Sequence, residues 1–281
     1  MNGGLVRLRE IINDLTPSEQ KVAKFVLNYP DRMIGMSIAH LAEESGGSKA
    51  AVIRLCKSMG LKSYQELMLK VAGDMREEAV QGYQEIRPQD SIATIVQNVS
   101  NNNIQSIRDT LKILDVSMVA KAIEALHSAK SIFYYGVGAS NLIAQDAQNK
   151  FMRINKPGFS FSDTHLQLTS LVTITERDVA VGISYSGETA HVASCLKKAR
   201  ELGAITISIT KYGHSRVSTE ADIPLYITST ENEIRIGAMS SRITQLNVID
   251  ILYLGVASID YEESAKYLKQ SRETVNELKG K

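Results

Sequence analysis

The chain has 281 residues, enough for two domains at roughly 100 to 200 residues each. Apolar residues make up 43% and charged residues 22%, with 18 glycines and 5 prolines, which excludes a disordered or collagen-like chain. Thirty-two basic against 31 acidic residues leave a net charge of +1, so any basic surface has to be local.

Cys56 and Cys195 lie far apart inside apolar helical patterns, without the closely spaced framework of a small secreted domain, and are expected as reduced thiols. Met1 to Leu15 carries Arg7, Arg9 and Glu10 and lacks the features of a signal peptide. No run of about 18 uncharged apolar residues occurs, so no membrane partner and a cytoplasmic location are expected.

Thr16-Pro17-Ser18-Glu19 carries a helix-start signal: Thr16 as N-cap, Pro17 at the first helical position and Glu19 reaching back to the cap. Val22, Phe25, Val26 and Tyr29 follow at helical spacing until Pro30 ends the pattern. The same spacing recurs after Ser37, Ser48 and Ser63, which predicts four short amphipathic helices. Ser45-Gly46-Gly47-Ser48 joins the second and third, as in a helix-turn-helix. With Val52, Leu55, Cys56 and Met59 inward, the third helix turns Ala50, Arg54 and Lys57 outward, with Ala51 and Ser58 beside them and Lys49 at its N-terminal edge. Lys49, Arg54, Lys57 and Lys62 are the four charges between Gly46 and Ser63, and none is acidic, whereas residues 1–80 carry 11 basic and 10 acidic side chains. Positive charge is therefore gathered where a major-groove helix needs it, although a protein-interaction module would also present a solvated basic face.

From Leu15 to Val71, the Ser48 to Arg54 entry and the Met59 to Tyr64 exit resemble the N-terminal helix-turn-helix of the RpiR/MurR family of bacterial transcription regulators. The resemblance implies operator DNA as partner, contacted by Ser48, Lys49, Ala50, Arg54, Lys57, Lys62, Ser63 and Tyr64. The family often has Thr where this chain has Ala51, so a hydroxyl contact there is lost.

Residues 73–90 lose the tight periodicity and include Gly82 and Pro88, as an inter-domain connection does. The expected division is 1–77 for the DNA-binding domain, 78–104 for linker and connecting helix, and 105–281 for the second domain. From Lys130 onward short β-rich runs (SIFYYG, GFSFS, DVAVGIS, AITISIT, DIPLYIT) alternate with helical stretches, which predicts βαβ units and a parallel sheet flanked by helices. The apolar run Ile243 to Ile259 is expected buried, with Asp250 inside it as a buried structural carboxylate.

Two turns follow predicted strands. Gly136-Val137-Gly138-Ala139-Ser140 lets backbone approach a ligand, but a dinucleotide fingerprint would need glycine at Asn141, and no cofactor is expected. Ser184-Tyr185-Ser186-Gly187-Glu188-Thr189 brings hydroxyls to a strand-to-helix turn, as a phosphate monoester requires, although Ser186 and Ser140 could each be helix caps. The histidines His40, His127, His191 and His214 lack metal-ligand spacing, and no metal is expected.

The two turns resemble the signature of the SIS (sugar isomerase) domain over roughly residues 105–260. That resemblance implies a flavodoxin-like α/β fold and a sugar-phosphate ligand held around Ser140, Ser184, Ser186 and Thr189, with Gly136, Gly138 and Gly187 shaping the approach. Asp163 and His165 would meet sugar hydroxyls, and Glu233 and Arg235 would lie near the ligand or a dimer contact. Together the two resemblances make the chain an all-α helix-turn-helix domain followed by an α/β SIS domain. They imply a sugar-phosphate-responsive regulator, a repressor acting as homodimer or homotetramer, with N-acetylmuramic acid 6-phosphate as one candidate effector. A sugar-phosphate isomerase using His165 or Glu188 as base is the alternative, and an adaptor acting through protein contacts is another.

Overall fold

The computed structural model describes residues 3–75, 87–229 and 238–278, which divide into two compact units, one up to Ile113 together with Thr228 and Ser229 and the other covering the rest. The first is helical: α1 (Gly4–Ile11), α2 (Pro17–Asn28), α3 (Pro30–Met33), α4 (Ile38–Glu44), α5 (Lys49–Ser58), α6 (Tyr64–Met75) and α7 (Ile92–Ile113). The four predicted helices are α2, α4, α5 and α6. To these the structure adds α1, whose Val6, Leu8 and Ile11 are buried, and the single turn α3, which uses Pro30 at its first position. Leu41, Val52, Leu55, Met59 and Leu67 are fully buried in this unit, and both cysteines of the chain are buried free thiols.

The second unit alternates strand and helix: α8 (Val116–Ser128), β1 (Ile132–Gly136), α9 (Ala139–Met152), β2 (Gly158–Ser160), α10 (Thr164–Ser170), β3 (Val179–Ile183), α11 (Ala190–Glu201), β4 (Ile205–Lys211), α12 (Arg216–Thr219), β5 (Ile223–Ile227), α13 (Ser240–Ile259) and α14 (Tyr261–Leu278). All four strand pairings are parallel and the order is β2-β1-β3-β4-β5. β1 and β3 are apolar at nearly every position and buried throughout, because both sheet faces are covered. Residues from α8, α9 and α13 pack with Tyr134, Val181, Ile207 and Leu225 into one cluster, and residues from α11 pack with Phe133, Tyr135 and Ala180 into another.

The hydrophobic helix α13 buries Val248, Ile249, Leu252 and Val256, as its composition predicts, but Leu254 is 64% exposed. Asp250 departs from expectation. Its side chain is 51% exposed and accepts from Lys150 Nζ at 2.5 Å, which also meets Asp146 at 2.6 Å. The run is apolar in sequence on all sides, but helical geometry turns position 250 away from the strip that Ile249 and Leu252 bury. Among the described residues no single helix is long and apolar enough to cross a membrane.

Phe151 on α9 is 1% exposed and touches the rings of Tyr134 and Tyr253, with centroids 6.2 and 5.9 Å away. Phe151→Ala should destabilise the second unit by about 3 to 5 kcal/mol through lost burial and an unfilled cavity, read as a lowered urea midpoint for that unit's transition.

Candidate functional site

On the first unit, Ser48 caps α5 by accepting from the Ala51 amide at 3.1 Å, and Gly47-N to Ala42-O at 3.0 Å closes the turn from α4. Lys49, Ala50, Ile53, Arg54, Lys57 and Ser58 are exposed along α5. Ala51 is fully buried, contrary to its expected place beside the outward face, and Ile53 takes the exposed place instead. Helical rotation explains this: Ala51 lies four residues before Leu55, on the buried strip. A hydroxyl at position 51 would face the core, so Ala51 removes no surface contact.

Beneath α5 lies Glu19, a carboxylate only 4% exposed. It accepts from the Thr16 amide at 3.0 Å and from the Thr16 hydroxyl, completing the capping box of α2, and from Ser58 Oγ at 3.4 Å. Arg54 Nε stands 4.0 Å from Oε1, the oxygen that Ser58 also meets. The residues after α5 are partly engaged in structure. Lys62 is exposed, and its amide donates to Glu66 at 2.9 Å. Ser63 Oγ accepts from the Glu66 amide at 3.2 Å, and the Tyr64 hydroxyl donates to the Met36 carbonyl at 3.1 Å. Burial raises the Tyr64 phenol above its ordinary range. The basic face therefore consists of Lys49, Arg54, Lys57 and Lys62, with Ala50 as a small gap between them.

On the second unit, the strand order places its reversal between β1 and β3, and each of these strands ends in one of the two turns. In open parallel sheets ligands bind in this crevice, beyond the carboxyl ends of the strands. A Cβ at Gly136 would lie 2.8 Å from the Ser140 carbonyl oxygen, so only glycine permits this tight turn. Gly138, at φ 59°, is the N-cap of α9; Ser140 sits inside the first turn and is not the cap. Ser140 Oγ lies 3.4 Å from Gln245 Nε2.

In the second turn Ser184 is 2% exposed, and its hydroxyl lies 2.9 Å from that of Thr189. Ser186 is exposed and accepts from the Glu188 amide at 3.2 Å, while α11 begins after Thr189. Gly187 has φ 73°, and a Cβ there would stand 2.2 Å from Ser215 Oγ. Its carbonyl accepts from the Val217 amide at 2.9 Å, so the turn is braced by the segment leading into α12. Neither Ser140 nor Ser186 is an N-cap residue.

Asp163 is the N-cap of α10, accepting from the Leu166 amide at 2.9 Å, and both it and His165 are exposed. Glu233 and Arg235 lie outside the described residues. Glu188 pairs with Arg216 at 3.3 Å. A cleft of about 500 Å³ between α11 and α12, bordered by Glu188, Lys197, His214 and Arg216, contains none of the predicted ligand residues. Among the described residues no group of three or more His, Cys, Asp or Glu is arranged to hold a metal ion.

Sequence reasoning missed Gln167 and His191. Gln167 is fully buried and donates from Nε2 to the carbonyls of Gly136 at 2.9 Å and Phe161 at 2.7 Å, while its Oε1 lies 3.0 Å from His191 Nε2. No motif marks these contacts; the one available signal was a glutamine two residues after His165 on a helix beside the site.

Two profiles match the chain: "Helix-turn-helix domain, rpiR family" over residues 2–78 and "SIS domain" over residues 125–255. An HTH-type transcriptional regulator of Caldanaerobacter subterraneus subsp. tengcongensis is 42% identical over 98% of both chains. The regulator YbbH of Bacillus subtilis is 38% identical over 99% of this chain and 98% of its own. The chain belongs to the rpiR family of helix-turn-helix transcriptional regulators. Among solved structures, the Vibrio vulnificus NanR protein complexed with ManNAc-6P superposes with a TM-score of 0.62 at 26% identity over 98% of both chains. This rpiR-family regulator thus joins a DNA-binding helix-turn-helix to a phosphosugar-sensing SIS domain.

His191 gives the site a titratable group. Partial burial, and then the charge of His165, hold its imidazole below the ordinary histidine value. The folded state therefore holds fewer protons there than the unfolded chain. Its contribution to stability is complete above the ordinary histidine value and is lost as the pH falls through that value to the lower folded one. Titration by NMR should place His191 below a free histidine, and His165→Gln should move it upward.

Proposed function

We propose that this rpiR-family regulator binds operator DNA through residues 1–77, with Lys49, Arg54, Lys57 and Lys62 on the groove side and Ser48, Ala50, Ser63 and Tyr64 shaping the contact. Residues 78–104 connect to a sensor formed by 105–281. The effector is the phosphate ester of an amino sugar, for which N-acetylmuramic acid 6-phosphate and ManNAc-6P are the first candidates, the second from its likeness to NanR. The phosphate is held by Ser140, Ser184, Ser186 and Thr189, the glycines Gly136, Gly138 and Gly187 admit it, Asp163 and His165 meet the sugar, and Glu233 and Arg235 act at the ligand or at a dimer contact. The protein works in the cytoplasm as a homodimer or homotetramer without cofactor or metal.

The observation that carries this reading is the pair of hydroxyl- and glycine-bearing turns at the single strand-order reversal of the sheet, in one chain with a basic helix-turn-helix. Hydroxyls and backbone amides at helix starts hold a phosphate without lysine. Transcriptional regulators as relatives over nearly the whole chain support sensing over turnover.

Ligand controls DNA binding by linkage. An effector that binds one arrangement of the oligomer better than another shifts the population of helix-turn-helix pairs that match half-sites about one helical turn apart. A thermal-shift screen with sugar phosphates should give a hit that raises Tm, and DNA titration with that compound should change affinity for the site upstream of the chain's own operon. Unchanged operator affinity at saturating effector overturns the sensor reading, and conversion of the compound to another sugar phosphate favours the isomerase. Arg54→Ala should weaken specific binding by about 1 to 3 kcal/mol, while Lys57→Ala should flatten the salt dependence by about one unit of slope.

A further inference from the structure

The residues around the Gly136 carbonyl carry a constraint that neither the phosphate turns nor the DNA-binding face contains. Gln167, on α10, has one amide group and three partners. Gly136, the last residue of β1, and Phe161, between β2 and α10, each offer a carbonyl oxygen to its nitrogen, at 2.9 and 2.7 Å. A carbonyl oxygen accepts and cannot donate, so the nitrogen has to face these two, and the amide orientation is fixed by chemistry. Oε1 is then left for His191 Nε2 at 3.0 Å. An amide oxygen also only accepts, so the hydrogen must be on Nε2.

His191 follows Thr189 by two residues, in the first turn of α11. The one amide therefore ties together the turn after β1, the segment after β2 and the helix that begins at the hydroxyl turn after β3. Cys195 Sγ lies 3.7 Å from the same His191 nitrogen; its thiol is pushed up to about 12 by burial and stays protonated. A hydrogen on Nε2 leaves Nδ1 of the neutral imidazole as an acceptor.

We propose that Gln167 is the positioning residue of the phosphosugar site, fixing the spacing of its two turns and the tautomer of His191 without itself touching ligand. This rests on the reading of the two turns as a phosphosugar site. Being fully buried, Gln167 cannot reach a ligand in the crevice. It acts through the Gly136 carbonyl, from which the chain enters the Gly138–Ser140 turn, and through His191, in the first turn of the helix that starts at the hydroxyl turn.

The test uses full-length protein carrying Gln167→Met, which keeps the length and loses all three hydrogen bonds, and Gln167→Glu, which keeps an acceptor for His191 but has at most one hydrogen, when protonated, for the two carbonyls. Long-range proton–nitrogen NMR reads the His191 tautomer without any ligand. Wild type should show hydrogen on Nε2 alone, the Met variant a mixture of both tautomers, and the Glu variant Nε2 again with a higher titration point. Calorimetry with N-acetylmuramic acid 6-phosphate and with inorganic phosphate should show both variants binding at least tenfold more weakly than wild type. A folded Met variant that keeps the pure Nε2 tautomer, or wild-type affinity for inorganic phosphate in both variants, overturns the proposal. If Gln167→Met does not fold, Gln167→Glu decides by its affinity for the two anions and by whether His191 titrates higher than in wild type. Failure of wild type to bind either anion overturns the phosphosugar site itself, and is told apart because the tautomer is read in its absence.

Discussion

The parallel pairing of β1 with β3, from Ile132 opposite Val179 to Gly136 opposite Ile183, is the constraint on which the sensor unit depends. Successive crossovers from β1 leave to opposite edges, one to β2 and one through β2 to β3, and this leaves a single gap in the layer of connections above the sheet. The register brings the ends of β1 and β3 level, so the turns that leave them start side by side. Each turn can then be short and glycine-bearing, because the helix that follows covers its strand at once. Gly136 and Gly187 mark the positions where backbone or Ser215 leaves no room for a Cβ. The ligand crevice is thus a consequence of topology, and the hydroxyls lend it chemistry.

The DNA-binding unit depends on a smaller device of the same kind. Glu19 is nearly buried, and a carboxylate there is tolerable only because the Thr16 amide and hydroxyl and Ser58 surround it with donors and Arg54 stands close by. One residue therefore fixes the start of α2 and lies under α5, the helix with the basic face. Arg54 is half exposed, and its stem starts from a helix whose roll is held from below.

The strands, their order of occurrence and the four central helices were legible because each is a local pattern: β-branched runs between glycines, and apolar residues at helical spacing after a hydroxyl cap. The buried thiols Cys56 and Cys195 were legible for the same reason. What escaped depends on partners distant in sequence. α1 begins at Gly4 with charges at Arg7, Arg9 and Glu10 and no side-chain cap, and it is a helix because Val6, Leu8 and Ile11 find a core. Ala51 and Asp250 were misplaced because a wheel drawn from residue type alone does not say where the neighbouring helices touch. Of the site, the hydroxyl turns were visible as motifs, and Gln167 was invisible, since its role lies in three contacts reaching up to 31 residues away.

Sensing requires the ligand to distinguish two states, and a tenfold change in operator affinity needs about 1.4 kcal/mol of differential binding. Phosphate contacts alone are poor at this, because hydroxyls and amides at a helix start bind the anion wherever the turn is formed. A group that closes only when sugar and protein are both in register supplies the difference better. The second turn is braced from one side by Ser215 and Val217, and its helix is tied from the other through His191 to Gln167 and so to Gly136. Spacing between the turns is consequently not free to follow any phosphate that enters. An effector whose hydroxyls match that fixed opening gains contacts in one state that a bare phosphate lacks. The sugar then sets the size of the response, and the phosphate sets affinity.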